Sequence, residues 1–141
     1  MKATKYVKID GKFKMHRGGE LESPTIAYET WGECKGDGEN AVIIFTGLSP
    51  SAHASSSAKD PTSGWWEDMI GSGLPLDTDK FFIICINSLG SCFGSTGPNS
   101  VDSLTGKRYK LSFPVLSLED VAKGGYEVTK ALGLKKINTT I

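Results

Sequence analysis

Ala41-Val42-Ile43-Ile44-Phe45 is a run of five apolar residues, and Phe81-Phe82-Ile83-Ile84-Cys85-Ile86 is a run of six. Neither run alternates with polar residues, so neither has a solvent face. β-Branched residues fill the middle of both, and both are short for a helix. A strand covered on both faces belongs inside a sheet whose connections cross over it, the pattern of a parallel sheet. A short buried helix is the alternative for each; length and β-branching favour strand. The connections that follow, Thr46 to Lys80 and Asn87 to Leu116, are long for loops, and long loops usually carry function. Each leaves the carboxyl end of a buried strand, where open α/β sheets place their ligands. The fold class expected is α/β.

On the amino-terminal side, Val7, Ile9 and Phe13 alternate with polar residues and predict one half-buried strand over Val7 to Phe13. Gly18-Gly19 marks a turn. Thr25 to Trp31 (TIAYETW) is aromatic and β-branched and predicts a second strand, and Gly32 to Asn40 is a polar surface connection. On the carboxyl side, Leu118, Val121, Ala122, Val128 and Leu132 fall close to one face at helical spacing and predict a helix over Ser117 to Leu132. Ser117 with Asp120 gives a capping-box pattern, and Gly133 stands where a left-handed C-terminal cap belongs. Gly124-Gly125 weakens the helix by about 1 kcal/mol per glycine relative to alanine. Such a pair suggests close packing against a neighbour, or mere drift. Ile137 to Ile141 begins another strand.

The 141 residues have the length of one domain. Lys plus Arg and Asp plus Glu each number 16, so the formal net charge is zero. No bulk field draws such a chain to nucleic acid or an anionic membrane. No apolar run approaches the length of a membrane span. The start, MKATKYVKID, has lysines where a secretory signal needs an apolar stretch, and a cytoplasmic protein is expected. Cys34, Cys85 and Cys92 are odd in number and show no C-x-x-C spacing, so no disulfide framework is expected. His16 and His53 stand far apart with no Cys/His cluster, so no metal is expected.

The loop leaving the first buried strand carries Gly47-Leu48-Ser49-Pro50-Ser51, a near miss to the nucleophile elbow G-x-S-x-G. Ser49 fails as that nucleophile: the residue after it must lend an N–H to the oxyanion hole, and Pro50 has none. The loop fits better as the other half of an oxyanion hole, with Leu48 donating its backbone N–H. A plain strand-ending turn is the alternative. His53 has no serine or cysteine elbow to pair with, and the expectation is a solvated or minor hydrogen-bonding residue. Gly90 to Pro98 is rich in glycine but lacks the lysine of a P-loop and does not open a helix. Cys92 has no histidine near it in sequence to activate it. Trp65-Trp66 predicts either a pocket wall or a packing anchor.

Laid end to end, GWWEDMIGSGLPLDTDKFFIICINSLGSCFGSTGP (64–98), TGKRY (105–109) and FPVLSLEDV (113–121) resemble the homoserine O-acyltransferase family of the α/β-hydrolase superfamily. GGELESPTIAYETWG (18–32) is similar to that family's N-terminal strands. The resemblance implies that residues 1–141 are the N-terminal portion of a single α/β-hydrolase catalytic domain, mostly parallel in its sheet and truncated before the nucleophile elbow. Strand order 1-2-4-3-5 then puts Ala41 to Phe45 between Phe81 to Ile86 and the strand starting at Ile137.

It also implies an activity: an acetyl or succinyl group moves from acetyl-CoA or succinyl-CoA to the hydroxyl of homoserine or serine, by way of a serine nucleophile in a ping-pong cycle. No cofactor beyond the acyl-CoA substrate is implied, and full-length members are expected to be homodimers. The family's oxyanion loop falls on Thr46 to Ser51 and its donor on Leu48, with Gly47, Leu48, Ser49, Pro50 and Ser51 bordering the amino-acid pocket. Most acetyltransferases of the family have L-T-G-D where this chain has Leu48-Ser49-Pro50-Ser51. The latter, with Ala52-His53-Ala54, is more similar to the succinyl-CoA branch, its serine O-succinyltransferases included. The chain departs from the family after LGLKKI (132–137), where Asn138 to Ile141 stands in place of the elbow. The Ser, Asp and His of the triad are therefore expected beyond Ile141, no catalytic residue is expected in this chain, and it is expected to be inactive alone. A non-catalytic α/β binding or regulatory module that keeps the pocket loops is the alternative.

Overall fold

A computed structural model describes residues 2–47 and 49–141 of the chain. The strands are β1 (Lys5–Lys8), β2 (Lys12–Lys14), β3 (Glu20–Glu22), β4 (Thr25–Trp31), β5 (Ala41–Phe45), β6 (Ile70–Gly71), β7 (Leu76–Asp77), β8 (Phe82–Ile86) and β9 (Thr139–Thr140); one helix, α1 (Leu118–Ala131), precedes β9. Five strands make the main sheet in the order β1-β4-β8-β5-β9. β4 pairs antiparallel with both β1 and β8, whereas β5 pairs parallel with β8 and with β9. Numbered among themselves these strands run 1-2-4-3-5, the order expected of an α/β-hydrolase. The two apolar runs lie side by side, Ile43 opposite Ile84.

Both faces of this pair are covered, which is why neither run alternates. Ile43, Ile84 and Ile86 face a cluster with Phe13, Leu21, Ile26, Leu89 and Val128, on the side of α1. Val42, Ile44, Ile83 and Cys85 face the opposite cluster, with Trp31 of β4 and with Ala54, Ile70 and Trp66 from the first long crossover. Burying each of these isoleucines contributes about 1.5–3 kcal/mol.

Two expectations need correction. The strand expected over Val7 to Phe13 is two strands in two sheets. The chain turns at Gly11, whose φ of 74° suits glycine. β1 then joins the main sheet while β2 pairs with β3 in a separate hairpin. β3 itself was not expected; it is the short return strand after the Gly18-Gly19 turn.

The helix is also rotated from its expected face. Its buried residues are Asp120, Gly124, Gly125, Val128 and Thr129, whereas Leu118 is 85% exposed. Asp120 explains part of this. Its Oδ2 accepts the backbone N–H and the hydroxyl of Ser117, both at 2.9 Å, and its Oδ1 accepts the His16 N–H at 2.7 Å. The carboxylate thus caps α1 and ties it to the loop after β2, which requires it to point inward.

Close packing, not drift, accounts for the glycine pair. A Cβ on Gly125 would lie 2.4 Å from the Phe45 ring and 3.2 Å from Ile86 Cδ1; one on Gly124 would lie 3.1 Å from Ile26 Cδ1. Gly125→Ala should therefore destabilise the chain by about 1–3 kcal/mol despite the better helix propensity of alanine. Urea unfolding checks this: a midpoint equal to or above the parent's would show that the helix stands further from the sheet.

Candidate functional site

The carboxyl ends of β5 and β8 are fastened together just beyond the sheet. Ser88 donates its hydroxyl to the Thr46 carbonyl at 2.9 Å and its N–H to Thr46 Oγ1 at 3.3 Å. Phe45, Thr46 and Gly47 on one side, and Ser88 to Ser91 on the other, open onto a cleft of about 680 Å³. Leu116, Leu118, Val121 and Ala122 from the start of α1 complete its wall. That wall is where Leu118 and Ala122 go instead of into the core.

A second cleft of about 700 Å³ lies among Lys5, Trp31, Lys59 and Ser72. Trp31 pairs with Ile83 at the amino end of β8, so that cleft sits at the end of the parallel strands opposite to the usual ligand position.

The loop expected to matter most begins in the first cleft. Leu48, the expected oxyanion donor, lies outside the described residues. Gly47 and Ser49 on either side are exposed, while Pro50 and Ser51 are half-buried. Its far end is held firmly. The Ser51 carbonyl accepts the Trp65 indole N–H at 2.8 Å, and Trp65 stacks on Trp66 with ring centroids 5.4 Å apart. The tryptophan pair is thus a packing anchor, and what it anchors is this loop.

Of the two expectations for His53, solvated or hydrogen-bonding, the structure bears out the second. It is not solvated: it is 8% exposed, with Nδ1 2.9 Å from Glu29 Oε2 and Nε2 2.9 Å from the Thr62 carbonyl oxygen. Glu29, on β4, is 1% exposed. The signal that could have revealed the pair is Glu29 itself, a lone acid in TIAYETW. A buried acid needs a partner, and that partner is 24 residues away in sequence.

The remaining candidates are inert as placed. Cys85 is buried, and desolvation followed by the charge of Glu29 pushes its thiol up to about 12. Cys92 is exposed, and neither histidine bonds to it. His16 faces Glu119 at 3.8 Å. Among the described residues no serine or cysteine has an imidazole partner, and none of the His, Cys, Asp and Glu side chains cluster as a metal site. No helix among them is long and apolar enough to cross a membrane.

The chain is 57% identical over 137 residues to a serine O-succinyltransferase of Litchfieldella anticariensis, covering 97% of this chain and 37% of that protein. It is 51% identical over 135 residues to an L-serine/homoserine O-acetyltransferase of Streptomyces lavendulae, covering 96% and 36%. The crystal structure of homoserine O-acetyltransferase from Bacillus anthracis superposes with a TM-score of 0.86 at 30% identity, over 99% of this chain and 40% of that one. Over nearly its whole length the chain is thus similar to serine and homoserine O-acyltransferases. It spans somewhat over a third of the length of the curated relatives it matches. No family model matches it. The described residues form the N-terminal part of an α/β-hydrolase fold.

Proposed function

We propose that this chain is the part of an O-acyltransferase that builds one wall of the acyl-transfer site, for movement of a succinyl or acetyl group from an acyl-CoA to the hydroxyl of serine or homoserine. The observation that carries the proposal is the loop from Thr46 to Ser51. It leaves the central parallel strand at the carboxyl edge of the sheet, opens onto an apolar cleft, and is fixed at both ends by Ser88 and Trp65. The similarity to enzymes named for serine and homoserine acylation supports the acceptor class.

In the proposed cycle a serine hydroxyl attacks the thioester carbonyl, the CoA thiol leaves, and the acceptor hydroxyl then attacks the acyl-serine. Each attack puts negative charge on the carbonyl oxygen. A backbone N–H already aimed at that oxygen stabilises the transition state without reorganisation, and Leu48 is assigned that role. The nucleophile is not assigned to any of these 141 residues. Thr62 Oγ1 does lie 3.1 Å from His53 Nε2, but its hydroxyl donates to Asp60 at 2.6 Å.

If residues 47–51 border the amino-acid pocket, they help choose between acceptors that differ by one methylene. Such a difference is worth about 1–3 kcal/mol in a close-fitting pocket. In a full-length family sequence carrying this chain, replacing Ser49-Pro50-Ser51 with Thr-Gly-Asp should change the ratio of specificity constants for serine and homoserine. The two acceptors compete in one reaction, and an unchanged product ratio would place acceptor choice elsewhere.

A further inference from the structure

His53 lies six residues beyond Gly47, and its two ring nitrogens face oxygens on two different elements. Nε2 meets the Thr62 carbonyl oxygen at 2.9 Å and Thr62 Oγ1 at 3.1 Å. The carbonyl can only accept. The Thr62 hydroxyl spends its proton on Asp60 Oδ1 at 2.6 Å, so toward His53 it too can only accept. Nε2 therefore carries a proton. Nδ1 meets Glu29 Oε2 at 2.9 Å, while Glu29 Oε1 accepts the Thr4 hydroxyl at 2.8 Å. One proton lies between Nδ1 and Glu29, and its owner decides whether the pair is charged.

The surroundings favour a cation on the ring. Asp60, in the same crossover, has its carboxyl pulled down to about 2, by the Thr62 hydroxyl first and then by the Lys2 N–H. It thus adds a second negative charge near the imidazole. Cys85, opposite Glu29 on β8, is a neutral thiol. Two lysines oppose: Lys5 on β1, whose pKa is lowered by burial and by the charge of Lys59, and Lys59 itself in the crossover. Both side chains are exposed, and Lys5 feels the charge of Glu29 from that position.

We propose that His53 is held as a buried imidazolium bridging Glu29 of β4 to Thr62, and that this cation is a positioning residue that pins the segment after β5 to the sheet. The route to the loop is short. The His53 N–H donates to Ser51 Oγ at 3.2 Å, and Ala52 and Ala54 on either side of it are fully buried. Ser51 is thereby tied to the His53 clamp, and Thr46 to Ser88.

Burial opposes the charged ring, but the hydrogen bonds to Glu29 and Thr62 and the charges of Glu29 and Asp60 outweigh it and raise the pKa. The folded state then holds the proton more tightly than the unfolded one. The clamp is at full strength below about pH 6.5 and is lost as pH rises through the raised pKa of His53. On the acyltransferase reading, on which this one consequence rests, loop order and turnover decline together over that range.

The test needs no turnover. The 141-residue chain is labelled with 15N-histidine and its ring nitrogens are followed against pH, in solution or in a hydrated sediment by magic-angle spinning. His53→Gln identifies the His53 signals, since only His16 remains. Both His53 nitrogens should appear protonated below a midpoint that lies above about 6.5, and Glu29→Gln should lower that midpoint. Amide exchange at Ala52 to Ala54, corrected for its intrinsic pH dependence, should accelerate through the same midpoint, by up to about tenfold for each unit by which the pKa is raised. The step should vanish in His53→Gln. A midpoint at or below about 6.5 overturns the buried cation. Exchange that ignores the titration overturns the positioning role. None of these readouts depends on acyl transfer, so a failure of the activity reading leaves them intact.

Discussion

Gly64→Ala is expected to destabilise the chain by about 3 kcal/mol or more, at the upper end of what overpacking costs. A Cβ there would lie 2.2 Å from both the carbonyl carbon and the carbonyl oxygen of Ala54, and 2.3 Å from the Ser55 nitrogen. Backbone cannot rotate aside as a side chain can. The approach is also fixed from several directions: Trp66 N–H to the Ala54 carbonyl at 2.8 Å, and Glu67 Oε2 accepting from Gly64 N–H at 2.7 Å and Ser56 N–H at 2.8 Å. Parting the two segments would lift the first crossover from Trp31, Val42, Ile44 and Ile83, uncovering one whole face of the sheet. Domains of this size are stable by only about 5–15 kcal/mol, so the loss is a large fraction of the total. Urea unfolding should show a lower midpoint with an unchanged slope. Gly47→Ala is the control, because among the described residues its Cβ would meet only Pro50 Cδ, at an ordinary 3.9 Å. If both variants unfold at the same urea concentration, the crossover does not pack in this way.

The same crossover shows where sequence reading succeeds and where it stops. Ala41 to Phe45 and Phe81 to Ile86 are legible because a strand buried on both faces has no use for polar residues. Their adjacency in the sheet follows from the family's strand order. The capped start and glycine end of α1 are legible because caps are local chemistry; Gly133 has the expected positive φ of 72°. The helix face misleads because apolar residues serve two surfaces. Val128 enters the core, while Leu118 and Ala122 line the cleft beside the loop. The strand expected over Val7 to Phe13 misleads because alternation survives a turn at Gly11 that sends its halves to different sheets. His53 misleads most, since its environment is made by Glu29 and Thr62, on separate elements, and no local window contains all three.

Leu48→Pro should lower acyl-transfer turnover by about 100-fold or more in a full-length family sequence carrying this chain, the cost of removing one oxyanion donor. In barrier terms that is about 2.7 kcal/mol. Proline lacks the N–H that the proposal assigns to Leu48, whereas Leu48→Ala keeps it and should be much milder. Since proline also restrains the loop, the parallel alanine variant separates loss of side chain from loss of donor, and equal small effects from both would place the donor elsewhere. The donor alone is not sufficient for catalysis. His53, the one imidazole near the loop, faces Glu29 and Thr62 on both nitrogens and has none free to accept a nucleophile's proton. Ser49 is followed by Pro50 and cannot sit in an elbow whose next residue lends an N–H. The 141-residue polypeptide by itself should therefore release no more thiol from acetyl-CoA or succinyl-CoA than a heat-treated control, with or without serine or homoserine. Release above that control that also rises with added acceptor would mean that a nucleophile exists within these residues, and Thr62, with its hydroxyl between His53 and Asp60, would be the first to replace.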